Sequence, residues 1–397
     1  MDTDLRIDTK KKVPSLRFAG FEGEWEEKRL GELLEFKNGI NASKEQYGKG
    51  VKFINVLDIL NNDFISHEKI IGSVDVDAQT VSKYPVNYGD ILFQRSSETR
   101  EEVGSASVYL DKKHTATFGG FVIRGRKVGE YEPIFLNKLL KTDSARDEIT
   151  SRSGGSTRYN VGQETLSAIN LSFPTLPEQN KIASFLTAVD EKIQALKQQK
   201  NLLEQYKKGM MQKIFSQEIR FKDNEGKGVG EWEMKKLGEI VDKKSSNISA
   251  NKIEENTGRY IIYGASGILK KIDFYKEEDD YISIIKDGAG AGRLFYCLGR
   301  SSVLSTMEII TPKIGLNTYY LYCLLSNIDF TKYITGSTIP HIYFKDYSSE
   351  ICNLPTLPEQ TKIAHFLSAI EEKISHCQVQ ITKMEQYKKG LLQQLFV

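Results

Sequence analysis

Two loops contain the residue types that proteins use to contact nucleic acid. The first-half loop follows the strand-like run GDILFQRSS and supplies Gln94, Arg95, Ser96, Ser97, Thr99 and Arg100. The second-half loop follows YISIIK and supplies Lys286 and Arg293. Arg and Gln can form paired hydrogen bonds with base edges, while Ser, Thr and Lys bind phosphate oxygens. We therefore predict DNA-contact loops, with ordinary solvated loops as the alternative.

A Gly-Ser-Thr loop occurs once in each half of the chain. The loops read GGSTRYN and TGSTIPH, and they are separated by 181 residues, measured from Ser156 to Ser337. Backbone N–H groups and hydroxyls in such loops suit phosphate oxygens. The candidate contact residues are Ser156, Thr157, Arg158, Ser337, Thr338 and His341. A purely structural turn before the next helix is the alternative.

The glycine pattern of DGAGAG at 287–292 could belong to a nucleotide or S-adenosylmethionine loop. The residues after it, RLFYCLG, favour a strand, whereas a phosphate-binding loop leads into a helix. A tight hairpin turn is therefore the predicted structure. The chain also lacks an N-P-P-[YF] or D-P-P-[YF] tetrapeptide, a GxxxxGK[ST] motif and zinc-ligand spacing of histidine. We expect no catalytic residues, no metal site and no cofactor in this chain.

Two long segments, Pro177–Phe215 and Pro358–Phe396, repeat each other without a gap at the same 181-residue shift. Apolar residues recur along both in alternating steps of four and three, the spacing of a coiled-coil seam. We predict one long helix in each segment. The predicted interface residues are Ile182, Leu186, Val189, Ile193, Leu203, Ile363, Leu367, Ile370, Ile374 and Leu391. Two separate amphipathic helices, each packed on its own domain, are the alternative.

Polar and glycine residues interrupt the apolar pattern of these segments. Lys200, Lys207 and Lys388 occupy seam positions, where polar residues set the register of a helix pair. Gly209 and Gly390 each cost about 1 kcal/mol in a helix interior. They predict a close crossing or a helix end.

The chain is a tandem duplication. The block GEWE-x-K-[RK]-LGE occurs around Trp25 and again around Trp232, so each half consists of an opening segment, a body and a long helix. Both tryptophans are predicted core residues. The predicted domains are 1–172 (with a loose tail at 1–14), 173–216, 217–353 and 354–397. The two tryptophans are 207 residues apart, which is 26 more than the 181-residue shift between the two helix segments. We expect the first body to contain these 26 extra residues in its loops.

Each body contains short β-prone runs separated by turns. In the first body they are 51–59, 89–97, 104–110 and 117–125, followed by a helix at 133–149. In the second they are 259–267, 281–292, 293–299 and 306–312, followed by a helix at 318–328. The opening segments and the long helices are similar in sequence between the two halves, whereas the bodies are not. This pattern favours one scaffold that presents two different recognition surfaces.

Composition places the chain among ordinary folded proteins. It has 397 residues, 39% hydrophobic and 27% charged, and a net charge of +2, so any nucleic-acid surface must come from local charge. The four cysteines show no C-x-x-C spacing and predict buried, reduced thiols. No signal peptide or membrane-spanning run is visible. We expect a soluble, cytoplasmic protein.

The repeated block, the GDILF strand, the Gly-Ser-Thr loops and the P-T-L-P-E-Q segments, in duplicated order from about Leu16 to Val397, resemble the specificity subunits of type I restriction-modification systems. The resemblance implies an α+β fold. Two mixed α/β target-recognition domains would be joined by two long helices in an antiparallel coiled coil with pseudo-two-fold symmetry.

The resemblance also implies partners and a target. Two methyltransferase (modification) subunits would dock on the helical frame, and restriction subunits would complete a nuclease. Double-stranded DNA would be read as two half-sites around a non-specific spacer, while S-adenosylmethionine, ATP and magnesium would bind the partner subunits. No membrane contact is expected. The alternatives are a self-sufficient DNA methyltransferase and a coiled-coil adaptor without nucleic-acid binding.

Overall fold

The structure is a computed structural model that describes residues 12–222 and 230–397. Most of the predicted tail, residues 1–11, lies outside the described residues. The chain divides into two compact units, Met1–Ala195 with Ile381–Val397 (unit 1) and Leu196–Gln380 (unit 2). Both boundaries fall inside long helices. The part of each unit outside those helices is called its head.

Unit 1 contains eleven described strands and six described short helices before the first long helix. The strands are β1 Glu26–Arg29, β2 Leu34–Asn38, β3 Tyr47–Ile54, β4 Ser73–Val74, β5 Ile91–Gln94, β6 Ser96–Ser97, β7 Ala106–Val108, β8 Thr117–Phe118, β9 Val122–Lys127, β10 Tyr159–Asn160 and β11 Asn170–Phe173. The helices are α1 Leu30–Leu33, α2 Val56–Leu60, α3 Ala78–Lys83, α4 Pro133–Leu139, α5 Asp143–Ser151 and α6 Gln163–Ser167. The first long helix is α7 Leu176–Phe215.

The second half of the chain repeats this order in a shorter form. Its strands are β12 Glu233–Lys236, β13 Val241–Ser245, β14 Tyr260–Gly264, β15 Gly267–Ile272, β16 Tyr281–Ile285, β17 Leu294–Cys297, β18 Ser301–Val303, β19 Met307–Pro312 and β20 Ile351–Leu354. Its helices are α8 Leu237–Ile240, α9 Thr318–Ser326, α10 Phe344–Tyr347 and the second long helix, α11 Leu357–Leu395.

The two heads have the same sheet topology. A four-stranded sheet has the order β2-β9-β5-β7 in unit 1 and β13-β19-β16-β17 in unit 2. A three-stranded sheet has the order β4-β3-β8 and β15-β14-β18, and a two-stranded sheet pairs β1 with β11 and β12 with β20. The predicted mixed α/β heads are therefore confirmed, and bodies of dissimilar sequence share one fold.

Two elements of the first head differ from the sequence prediction. The predicted strand 51–59 ends at Ile54 and continues as α2, because Asn55 N–H donates to Asp58 Oδ2 at 2.7 Å and caps a new helix. The predicted helix 133–149 is broken into α4 and α5, because Thr142 Oγ1 accepts from the N–H of Ala145 and caps a second helix. The connection between β3 and β5 is longer than the one between the equivalent strands of the second head, β14 and β16, and it contains α2 and α3. The extra residues of the first body, which we predicted as loops, therefore form helices as well.

The two predicted long helices are present and pack together. In unit 1 the start of α7 contacts the end of α11, with Asp190 Oδ1 2.6 Å from Lys388 Nζ. In unit 2 the end of α7 contacts the start of α11, with Lys207 Nζ 2.6 Å from Glu371 Oε2. The helices are therefore antiparallel. Lys200 instead pairs with Glu204 on its own helix at 3.5 Å.

The two helix glycines do not mark a close crossing or a helix end within the chain. Gly209 and Gly390 lie inside α7 and α11. A Cβ added at either residue would meet nothing within 4 Å. The prediction made for them was wrong, since the space beside each glycine is open.

The core of each unit is completed by the end of the helix that belongs to the other half of the chain. In unit 1, Phe396 packs against Trp25 and Phe135, with ring centroids 6.2 and 5.3 Å apart. In unit 2, Phe215 packs against Trp232 at 6.4 Å in the same way. Both tryptophans are buried, as predicted.

A buried ion pair joins each opening segment to the start of a long helix. Arg17 donates through Nε and Nη2 to the two carboxylate oxygens of Glu178, both at 2.8 Å. Arg220 holds Glu359 in the same geometry at 2.8 and 2.9 Å. Paired hydrogen bonds of this kind fix orientation as well as charge. The glutamate of the repeated P-E-Q segment is thus a structural residue.

The following glutamine of P-E-Q positions a head helix. Gln179 Oε1 accepts from the N–H of Glu132, which caps α4, at 3.0 Å. Gln360 Oε1 accepts from the N–H of Asn317, which caps α9, at 2.9 Å. One repeated tripeptide therefore ties each head to its own long helix.

Candidate nucleic-acid interface

The two candidate loops of unit 1 lie side by side. β6 pairs with β10 in antiparallel register, so that Ser96 faces Asn160. Ser96 Oγ donates to Asn160 Oδ1, and the N–H of Val161 donates to Arg95 O at 3.0 Å. Residues 94–100 and the Gly-Ser-Thr loop therefore form one continuous surface of the head.

The candidates on this surface divide into buried and exposed side chains. Gln94 and Ser97 are buried. Gln94 Nε2 donates to Ser96 O at 2.9 Å, and Ser97 Oγ donates to Glu102 Oε2 at 3.1 Å, so both hold the loop in shape. Ser96 is half-buried. The exposed candidates are Arg95, Thr99, Arg100, Ser156, Thr157 and Arg158.

The candidate loops of unit 2 meet in the same manner. Asp287 and His341 form an antiparallel bridge, and His341 Nδ1 lies 2.9 Å from Asp287 Oδ1. The N–H of Ile342 donates to Lys286 O at 2.9 Å. Lys286 and His341 are half-buried, whereas Arg293, Ser337 and Thr338 are exposed.

The glycine of each Gly-Ser-Thr loop is required by the turn. Gly155 has φ +114°, and a Cβ there would lie 2.1 Å from Arg158 O. Gly336 has φ +88°, and a Cβ there would lie 2.5 Å from Ile339 O. Both residues occupy backbone conformations that side chains disfavour.

The DGAGAG segment is a hairpin turn, as predicted. The N–H of Ile285 donates to Arg293 O at 2.9 Å, and the N–H of Gly292 donates to Ile285 O at 2.8 Å. β17 follows the turn and pairs antiparallel with β16. The glycines therefore serve a strand-to-strand connection.

Backbone hydrogen bonds show which residues of the two heads are equivalent. The N–H of Arg95 donates to Phe121 O at 2.9 Å, and the N–H of Lys286 donates to Thr306 O at 3.0 Å. The carbonyls of Arg95 and Lys286 accept from the residues that follow Asn160 and His341. Each head thus places a cation directly after its central strand.

The same comparison adds four residues to the sequence candidates. Asn160 bonds to Ser96 and Asp287 bonds to His341, and the carbonyls of Phe121 and Thr306 accept the backbone N–H groups of Arg95 and Lys286. Asn160 and His341 are separated by the same 181 residues as the Gly-Ser-Thr loops, so a repeat alignment could have paired them. No comparable signal marks Phe121 and Thr306, because the surrounding body sequences differ.

The predicted interface residues of α7 and α11 lie in the cores of the two units. Leu203 is half-buried and packs against the core of unit 2. The remaining residues are buried, namely Ile182, Leu186, Val189, Ile193 and Leu391 in unit 1 and Ile363, Leu367, Ile370 and Ile374 in unit 2.

A charged cluster joins the first head to the helices in unit 1. Asp190 contacts both Lys138 and Lys388, and Lys388 also lies 3.9 Å from Asp63 Oδ1. Lys141 Nζ donates to the backbone O of Asp63 at 2.9 Å. Burial is the largest cause that lowers the pKa of Lys141 to about 8, and repulsion from Lys138 is the second largest.

The described part of the chain contains no group of three or more His, Cys, Asp or Glu side chains arranged to hold a metal ion. None of its helices has a stretch apolar enough to span a bilayer. The four cysteines are buried and outside disulfides, as predicted. Burial raises the pKa of Cys297 and Cys323 to about 12 and that of Cys352 to about 11.

Known proteins resemble this chain in sequence and in fold. The family profile described as Type I restriction modification DNA specificity domain matches residues 22–205 and 230–385. The type I restriction enzyme MjaIX specificity subunit of Methanocaldococcus jannaschii is 22% identical over 409 residues, covering 94% of this chain and 92% of that protein.

Solved structures resemble the fold over nearly the whole chain. The crystal structure of the type I restriction-modification system S subunit from M. genitalium has a TM-score of 0.64 at 17% identity, covering 97% of this chain and 99% of that chain. A chain from a study of complex assembly and conformational transition of the type I R-M system has a TM-score of 0.53 at 16% identity, covering 95% and 98%. The duplicated heads, the paired long helices and the family match together show that this chain belongs to the type I restriction-modification DNA specificity family.

Proposed function

We propose that this chain reads a bipartite DNA target, one half-site with each head, and carries no catalytic residues of its own. The observation that supports this most directly is the equivalence of Arg95 and Lys286. Two heads of one fold hold a cation at the same backbone position, beside a Gly-Ser-Thr loop, while the neighbouring side chains differ. This arrangement supports a common phosphate contact in both heads combined with different base contacts.

The proposed contacts are the exposed or half-buried basic side chains of the two heads, together with the exposed hydroxyls of the Gly-Ser-Thr loops. Arg95, Arg100 and Arg158 would serve the first half-site, and Lys286 and Arg293 the second. The Gly-Ser-Thr hydroxyls of Ser156, Thr157, Ser337 and Thr338 would bind phosphate, and His341 would contact the second half-site. Gln94, Ser96, Ser97 and Thr99 would act by shaping the first loop.

The proposed assembly places catalysis on other chains. Methyltransferase subunits, two by the pseudo-symmetry of the helices, would dock on α7 and α11, and restriction subunits would join them. S-adenosylmethionine, ATP and magnesium would bind those partners. A chain of similar fold comes from a study of complex assembly of the type I R-M system, which supports the presence of partner subunits.

The test is selection from a pool of duplexes with two randomised segments, using the chain assembled with its modification subunits. We expect enrichment of two fixed half-sites at a constant separation. Each of Arg95→Ala and Lys286→Ala should weaken binding to the enriched duplex and lower the slope of log affinity against log salt by about 1. Lys83→Ala, at an exposed position on α3, is the matched control. Failure to enrich any sequence would contradict the proposal.

A further inference from the structure

Beside Arg95, the first head has a cavity that the reading loops do not use. Its volume is about 210 Å³, and its lining includes Tyr47, Phe53, Asn55, Leu57, Gly119 and Phe121. Pockets that enclose drug-sized ligands measure roughly 300 to 1,000 Å³. A cavity of this size suits one aromatic ring system.

One wall of this cavity is the backbone turn at Gly119 and Gly120. A Cβ at Gly39 would lie 2.1 Å from Gly119 O, so the segment at Gly39 packs directly against this turn. The turn therefore holds the next residue, Phe121, in a fixed place. Its side chain is 63% exposed.

Other aromatic and apolar side chains complete the rim. Tyr47 is 47% exposed and packs edge-to-face on Phe53, with ring centroids 5.6 Å apart. Leu57 is also exposed, and Asn55 adds an amide at the rim. Exposed aromatic residues around a cavity indicate a ligand with a flat apolar face.

The cavity is continuous with the proposed DNA surface. Arg95 donates its N–H to Phe121 O at 2.9 Å and Nη1 to Gly120 O at 3.4 Å. A DNA strand held at Arg95 would therefore bring its bases next to Phe121. The equivalent residue in the second head is Thr306, so the aromatic wall is particular to the first head.

We propose that this cavity takes one unstacked nucleobase of the first half-site, stacked against Phe121 and Tyr47. The inference rests on the proposed function, because it needs the first head to bind DNA. Stacking on aromatic side chains holds any base, so the base preference would come from the Asn55 amide at the rim, and removal of one stacking ring lowers affinity about tenfold to a hundredfold. Phe121 then holds the base beside the Asn55 amide, next to the strand bound at Arg95.

The probe is the duplex that the wild-type assembly enriches, together with its single-position variants and versions carrying 2-aminopurine in either half-site. Phe121→Ala and Tyr47→Ala should each lower affinity at least tenfold and flatten the base preference at the same one or two positions. The other half-site should keep its preferences. Wild-type binding should change 2-aminopurine fluorescence at those positions and not in the other half-site, and Phe121→Ala should abolish the change. Thr306→Ala should leave these positions unchanged.

Phe121 is exposed, so its replacement leaves the core intact, and unchanged thermal unfolding would verify this. A Phe121→Ala assembly with wild-type affinity and preferences would overturn the cavity site and leave the proposed function standing. Altered preferences without any change of 2-aminopurine fluorescence in the wild type would also overturn it. A wild type that enriches no sequence would instead contradict the proposed function itself.

Discussion

Lys207 Nζ lies 2.6 Å from Glu371 Oε2 in unit 2. The residues at the equivalent repeat positions, Lys388 and Asp190, are also 2.6 Å apart in unit 1. One repeated sequence thus makes the same cross-helix contact twice, with the donor and acceptor helices exchanged. Lys207 and Lys388 were predicted to set register, and each pairs across the seam.

Exchange of the charges at Lys207 and Glu371 tests this contact. Lys207→Glu alone should lower the free energy of unfolding by about 1 kcal/mol, since like charges then face each other. The double variant Lys207→Glu with Glu371→Lys should recover most of the loss. Thermal unfolding of the single and double variants measures the coupling. Additive losses in the double variant would show that the pair is a neutral surface contact.

Replacement of Arg17 tests the buried ion pair. Arg17→Met leaves the carboxylate of Glu178, which is 1% exposed, without its partner. We expect a loss of about 2–4 kcal/mol, somewhat below the roughly 3–5 kcal/mol of fully buried pairs because the arginine is partly open to water. Lys28→Met removes an exposed pair with Glu26 and should cost under about 0.5 kcal/mol. Equal losses in urea unfolding would contradict the structural role of Arg17.

The helix glycines offer a stabilising change. Gly209→Ala and Gly390→Ala should each raise the free energy of unfolding by about 1 kcal/mol, because the added methyl meets no atom and alanine restricts the unfolded chain. The measurement is the melting temperature of each variant. Gly155→Ala is the contrasting control, since its positive φ should make the same substitution destabilising. A drop in melting temperature for Gly209→Ala would contradict this prediction, because it would show that another group occupies the space beside Gly209.

Lys141 predicts a pH dependence. Its pKa is about 8 in the folded chain against about 10.4 in the unfolded chain, so between these values the folded state has lost a proton that the unfolded state still binds. Its contribution to stability therefore rises with pH through this window. Lys141→Met should remove that rise, whereas the exposed Lys83→Met should not.

The measurement for Lys141 is the melting temperature at pH 7.5, 9 and 10. The difference between wild type and Lys141→Met should move in favour of the wild type as pH increases. A difference that stays constant across these values would show that Lys141 titrates normally.

The parts of this fold that depend on local sequence were predictable. The seam spacing predicted both long helices, and the turn-bounded runs predicted most central strands. The hydrogen bond between Ser96 and Asn160 was not predictable, because 64 residues separate them and neither residue belongs to a periodic sequence pattern. The end of the strand at Asn55 has a local cause, the helix cap formed by Asn55 and Asp58. We missed it because the β-prone composition of residues 51–59 favoured one continuous strand. Phe121 was missed because its place in the site depends on a backbone hydrogen bond from Arg95, which is distant in sequence.

The placement of Leu391, Leu395 and Phe396 in the core of unit 1 has a consequence for protein synthesis. A ribosome makes about 5–20 residues per second and releases amino-terminal segments first. All residues of unit 2 emerge before these three do. The first head is therefore translated before the second but completed after it, and a nascent chain that stops before Leu391 would expose the apolar surface around Trp25 to chaperones.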